Sequence, residues 1–354
     1  MSSRWTEPPA CSPPAYASAE YARALAHLGR PLPLGATGGF VLARDIPLVG
    51  GAPPCLRDLT GPYPLFTCAD WAALPDAVTG LGRDFVTLTL VLDPFCPVPQ
   101  AVLAALFPLC RPLHAHHVID LAAPPAPARH HRRKLRAAAS AGPETPPLRL
   151  ALRDLQADPP DAALLAGWQG LYDQLAARHG IRDLRRFGPG SFRHQLAVPG
   201  AHLVTAHAGD MLLGADLYYV DARDPRAGVA RAHLSAYAAQ GYARSVSYPM
   251  LAFAIRALAD RARWLDLGGV PAGDRGGERG GGLAHFKRGW TRTTRPALLC
   301  GRVLDGPAHA ALSAALRPTL PAAAQDYFPP WRARDFAAQQ PTGHAGDRPE
   351  DVRS

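Results

Sequence analysis

The stretch from His233 to Trp290 constrains this chain most. It orders an apolar strand, a glycine-bearing turn, an amphipathic helix, a second strand and a glycine-rich loop before the hexapeptide His285-Phe286-Lys287-Arg288-Gly289-Trp290. His233-Leu234-Ser235-Ala236-Tyr237 reads as the first strand, and the turn Ala238 to Arg244 follows it directly. A helix is predicted from Ser247-Tyr248-Pro249, since serine caps orphan amides and proline suits a first turn. Leu251, Ala254, Ile255, Leu258 and Ala262 form its core stripe, while Arg256, Asp260 and Arg263 fall elsewhere on the wheel. Trp264-Leu265-Asp266-Leu267 is short and apolar enough for a buried strand beside it. Strand, turn and helix N-terminus aim backbone donors and the positive end of the dipole at one point, which suits a pyrophosphate, a phosphodiester or a developing oxyanion. The same unit also occurs as plain structure in most α/β proteins.

Asp266-Leu267-Gly268-Gly269-Val270, a glycine-rich spacer, and Gly282-Leu283-Ala284-His285-Phe286-Lys287-Arg288-Gly289-Trp290 together resemble the C-terminal signature of the Fem-type peptidoglycan-bridge aminoacyltransferases, members of the GNAT-fold acyltransferases. Upstream, Val118-Ile119-Asp120-Leu121 and the basic segment Arg129 to Ala138 are similar to that family's strand and arginine-rich helix before its second acyltransferase-like domain. Leu171 to Asp221 resembles the opening of that domain, as in the sister BioF2-like or CelD-like acetyltransferases. The resemblance covers roughly residues 118 to 305. It implies an α/β (α+β) fold of two GNAT-like acyltransferase domains, each a mixed β-sheet flanked by helices. It also implies an acyl or aminoacyl transfer to an amine by direct attack, with acyl-CoA or aminoacyl-tRNA as co-substrate and no tightly bound cofactor. The acceptor it implies is a small-molecule or peptidoglycan-precursor amine, and tRNA is a candidate partner.

Residue by residue, the resemblance places Lys287 at the acyl-transfer centre, where an ammonium stabilises the charge building on the carbonyl oxygen. The bland alternative is that Lys287 and Arg288 pair with carboxylates on an adjoining helix. Gln240, Gly241, Ala243, Arg244 and Ser245 are the candidate donor-phosphate turn. Acetyl-CoA members of the fold carry arginine or glutamine, two residues, glycine, one residue, and glycine or alanine there; Gly241 and Ala243 fit the second half, but Ala238 holds the leading position. Tyr237, Arg288, Trp290, Arg129, Arg132 and Arg133 are candidate acceptor or polyanion contacts. No G-x-S-x-G elbow and no cysteine motif supplies an enzyme nucleophile. His233, Tyr237, Asp266 and His285 flank the expected site as candidate general bases, none singled out by spacing.

With 354 residues, 47% of them hydrophobic, two cores are the default. The expected division is a flexible lead over 1–16, a first domain over 17–121, a proline linker and basic helix over 122–148, a second domain over 149–331, and a disordered tail over 332–354. The two domains are expected to meet across a cleft, with Phe85 to Leu92 a central strand of the first. No apolar run approaches a membrane span and no signal-peptide core follows Met1, so a cytoplasmic protein is expected. Six cysteines lack a C-x-x-C pair or a histidine at ligand spacing, so neither a disulfide framework nor a metal site is indicated.

A formal charge of +9 suits a polyanionic partner. Arg129, Arg132, Arg133 and Arg136 fall on one helical stripe, which is either a phosphate-binding face or a solvated one. A chain that binds RNA or another polyanion through this stripe, and is catalytically silent, is the competing expectation. Gly268 to Gly282 holds eight glycines without a phosphate-loop lysine, and reads either as a lid over the acceptor or as a surface insertion.

Overall fold

The computed structural model describes residues 13–47, 56–140, 146–181, 186–221, 228–270, 282–316 and 327–333. The chain is mixed α/β. Its N-terminal part runs α1 (Ala19–Ala24), β1 (Arg30–Pro33), β2 (Phe40–Asp45), β3 (Arg57–Thr60), α2 (Leu74–Thr79), β4 (Thr87–Leu92), α3 (Gln100–Leu106) and β5 (Leu109–Asp120). The basic helix α4 (Arg129–Ala139) follows, then β6 (Leu148–Asp154), α5 (Ala162–His179), α6 (Pro189–Leu196), β7 (Ala201–Ala208), β8 (Met211–Val220) and β9 (Val229–Tyr237). The last part is α7 (Ala239–Ala243), α8 (Ser247–Ala257), β10 (Trp264–Asp266), α9 (Gly282–Trp290), β11 (Thr294–Val303) and α10 (Gly306–Leu316).

The strands form one eleven-stranded sheet in the order β1-β2-β3-β4-β11-β5-β10-β9-β8-β7-β6. Two mixed half-sheets are present as expected, but they are joined. Strand β5 pairs with β11 over Leu109 to His117 and with β10 over Val118 to Asp120, so one strand carries the ladder from one half into the other. The boundary drawn after Leu121 is also crossed in the other direction, because β11 lies between β4 and β5 of the N-terminal half. In the sequence β5 is legible only from His117, since Cys110-Arg111-Pro112-Leu113-His114 shows no strand alternation.

Both ends of the expected domains are corrected too. Tyr16, placed in the flexible lead, is buried in the core with its ring 5.5 Å from that of Tyr219. Arg332, placed in the disordered tail, is buried and binds both oxygens of Asp58, whose Oδ2 also accepts from Trp331 Nε1. Residues 334–354 and the glycine-rich spacer over 271–281 lie outside the described residues.

The faces of the C-terminal half-sheet carry separate cores. On one, Trp168, Leu171 and Tyr172 of α5 and Phe192 and Leu196 of α6 pack against Leu217 and Tyr219. On the other, Met250, Leu251, Ala254 and Ile255 of α8 pack with Ile119, Leu265 and Trp290, so the predicted core stripe of α8 is the buried one. Helix α8 begins one residue after Val246; Ser247 gives no side-chain cap.

Candidate functional site

Strands β9 and β10 are parallel and pair over only three rows, ending at Asp266 opposite Arg231. Past that row β10 leaves β9. Leu267 donates its N–H to His117 O (2.9 Å), so the chain follows β5 instead. Strand β9 continues to Tyr237, and no other described strand pairs with that edge. A wedge results, with the Asp266 row at its apex and the turn after Tyr237 at its mouth, roughly 20 Å apart for six residues of strand.

At the mouth, Ala238 N–H donates to Leu213 O (2.9 Å), α7 makes one short turn, and α8 begins. Gln240 and Ala243 are exposed, while Gly241 is buried. A Cβ on Gly241 would lie 2.1 Å from Leu213 O, so this glycine is required by the approach of the turn to β8. Ser245 has a left-handed backbone (φ 53°), and its Oγ accepts from Lys134 Nζ (3.2 Å) of α4. Arg244 donates to Pro146 O at 3.1 Å. The turn is therefore tied to the basic helix, a juxtaposition invisible in the sequence. Tyr237 donates its hydroxyl to Asp216 Oδ1 (2.8 Å). Burial pushes the Asp216 carboxyl up to about 6, against the hydrogen bonds of Ser235, Tyr237 and Tyr218.

At the apex, Lys287 of α9 is buried and donates from Nζ to Gly269 O at 2.7 Å. Asp266, also buried, accepts from Gly268 N–H (2.7 Å) and lies 3.0 and 2.9 Å by its two oxygens from His116 Nδ1. A carboxylate only accepts, so Nδ1 carries the hydrogen in this contact and Nε2 is the nitrogen turned away from Asp266. Sequence reading missed His116; the signal for it is the register that sets Val118, two residues on, against Asp266. His117, facing the other way, has its pKa lowered by burial first, with Lys287, Arg288 and His116 acting in the same direction.

The other candidate bases are less available. His233 is enclosed beside Tyr16, and burial pulls its pKa down to about 3. His285 is exposed and lies against the His130 ring, 4.3 Å between centroids.

Helix α4 lies against α9 through His131. Its Nε2 is 2.9 Å from Phe286 O, and its ring meets Trp290 edge-on at 5.1 Å. Trp290 is thereby buried where it braces α9 against α4, whereas Arg288 is exposed. Ala128 N–H bonds Gly289 O at 2.8 Å. The outer face of α4 borders an open concavity of about 780 Å³ lined by Arg129, His130, Arg132, Arg133 and Arg136. Arg132 is partly occupied, donating to Pro127 O at 2.6 Å.

No family model and no curated protein matches the chain. Solved structures do. FemX superposes with a TM-score of 0.56 at 12% identity, over 83% of this chain and 93% of that one. The C-terminal domain of a protein described as a lysylphosphatidylglycerol synthetase, from Agrobacterium fabrum, superposes with a TM-score of 0.52 at 17% identity, over 83% and 89%. At these identities the likeness is one of fold, and the fold is the one the Fem-type resemblance implies. Among the described residues no helix is long and apolar enough to cross a membrane.

Proposed function

We propose that this chain is an acyltransferase that passes an acyl or aminoacyl group from acyl-CoA or aminoacyl-tRNA to an amine by direct attack. The observation that carries the reading is the wedge: an unpaired strand edge leads from the donor turn at its mouth to Lys287, Asp266 and His116 at its apex. An extended donor arm can add to the open edge of β9 by main-chain hydrogen bonds, as a strand would. Gln240, Gly241, Ala243, Arg244 and Ser245 then face its phosphates, with Gly241 serving through the close packing that shapes the turn. Carbonyl carbon and amine meet at the apex. The Lys287 ammonium stabilises the tetrahedral oxyanion, and His116, held by Asp266, accepts the proton the amine releases. As the C–N bond forms, the thioester C–S or aminoacyl ester C–O bond breaks and the departing sulfur or ribose oxygen takes that proton. Arg288 and Tyr237 border the acceptor side, and Arg129, Arg132 and Arg133 offer a face for a polynucleotide donor. The basic concavity of α4 also supports the second reading, a silent polyanion binder.

Two measurements on one preparation decide. Protein incubated with acetyl-CoA, or with mixed aminoacyl-tRNAs, is recovered and weighed for retained donor; retention of uncharged RNA alone favours the silent reading. With the retained donor, Lys287→Met is expected to lower single-turnover rate about a hundredfold with donor affinity unchanged. Lys287→Arg restores only part, because a planar fork does not place charge where a compact ammonium did. A lower melting temperature with normal turnover per folded molecule would instead assign Lys287 to holding Gly269.

A further inference from the structure

A cavity of about 540 Å³ lies between the half-sheets, lined from the end of β4, the start of β9 and the first residues of β10 and β11. It lies at the apex end of the wedge, where Arg231 of the Asp266 row lines it, and away from the donor turn. Val229, in its wall, begins β9 and stands eight residues from Tyr237, roughly 26 Å along the strand.

The charges lining this cavity are unequal in kind. Arg231 and Asp93 are both buried, with 2.9 and 2.6 Å contacts to one carboxylate oxygen, and Asp221 also acts on Arg231. Arg263 binds Asp120. Arg295 is different. Its guanidinium lies 4.5 Å from the Phe95 ring centroid and 5.0 Å from that of Trp264, and no carboxylate among the described residues pairs with it. Two aromatic rings border the guanidinium while no carboxylate neutralises it, a placed cation that suits an oxyanion. The same two rings, 6.1 Å apart, add apolar surface beside the guanidinium, with Arg263 also lying 5.8 Å from the Trp264 centroid. The volume is that of a small-molecule site.

We propose that this cavity binds a small ligand carrying an oxyanion, a carboxylate or a phosphate monoester, on a flat apolar group. Arg295 takes the oxyanion, Phe95 and Trp264 take the flat group, and the Asp93–Arg231 pair forms a neutral floor.

The test uses full-length protein with three probes: benzoate, phenyl phosphate and the uncharged benzamide. Either anion is expected to bind more tightly than benzamide by calorimetry and to perturb the Trp264 indole signal, and the tighter of the two identifies the oxyanion. Arg295→Met keeps the stem and removes the charge; it is expected to weaken the anion tenfold to a hundredfold and leave benzamide unchanged. Arg295→Lys should fall between, keeping charge without the fork. Anions that bind wild type no better than benzamide, or that leave Trp264 unperturbed, overturn the proposal whatever the variants do. So does an Arg295→Met protein with wild-type melting temperature and wild-type anion affinity.

Discussion

Gly289 has no room for one more carbon: a Cβ there would fall 1.9 Å from His131 Cε1. Gly289→Ala is therefore expected to push α4 off α9 and lower stability by about 1–3 kcal/mol, the usual cost of overpacking. Removing the ring as well should remove the clash, so His131→Ala with Gly289→Ala should lose less than the two single changes summed, by denaturant midpoint. Additive losses would mean that the two residues do not meet. The pH response is a second consequence at this scale. His233 and His131, pulled down to about 3 and about 4 chiefly by burial, hold fewer protons folded than unfolded, so their contribution is present above pH 6.5 and fades as pH falls. Asp216, raised to about 6, works oppositely: its contribution is complete below pH 3.8 and fades as pH rises through 6. Two histidines outweigh one carboxyl, so stability should drop between pH 6.5 and 4. Asp216→Asn should steepen that drop, and an unchanged slope of urea midpoint against pH would remove Asp216 from the account.

At the scale of elements, α4 divides its two jobs between faces. His131 and Leu135 turn inward, while the arginines border the concavity and Lys134 reaches the donor turn. The i, i+3, i+4 spacing made the stripe readable, yet nothing in it says which element lies beside the helix. Arg129→Glu with Arg133→Glu tests the outer face without touching Arg132, which holds Pro127 O. With tRNA as the probe, affinity should fall and the salt slope should flatten by about 0.7–0.9 for each phosphate that is no longer neutralised. An identical slope would identify a solvated face. Gly241→Asp, by contrast, is a poor probe of donor binding, because the clash with Leu213 O perturbs the turn before any anion arrives.

For the whole molecule, the shared strand is decisive. β5 belongs to both half-sheets, β11 returns from the C-terminal part to pair beside it, and Asp58 anchors Trp331 and Arg332 from the far end of the described chain. Neither half can lose its ladder without exposing strands of the other. A single calorimetric transition is expected, with calorimetric and van't Hoff enthalpies in agreement. Two resolved transitions would show that the halves fold independently despite β5.

Local pattern determined the elements that line the site. The stripe of α8, the strands β7 to β10, the basic helix and the Phe286-Lys287-Arg288-Gly289 signature were all legible, because periodicity and turn chemistry act within a few residues. Long-range pairing decided the rest. That β11 inserts beside β4, that His116 meets Asp266 150 residues away, that His131 fills the space Gly289 leaves, and that Arg295 lies over Phe95 and Trp264 are all set by sheet register and side-chain packing. A histidine in a polar run or a glycine in a helix carries no local mark of its distant partner. Only folding brings the partners together, because the free energy of burying them belongs to the pair and to neither residue alone.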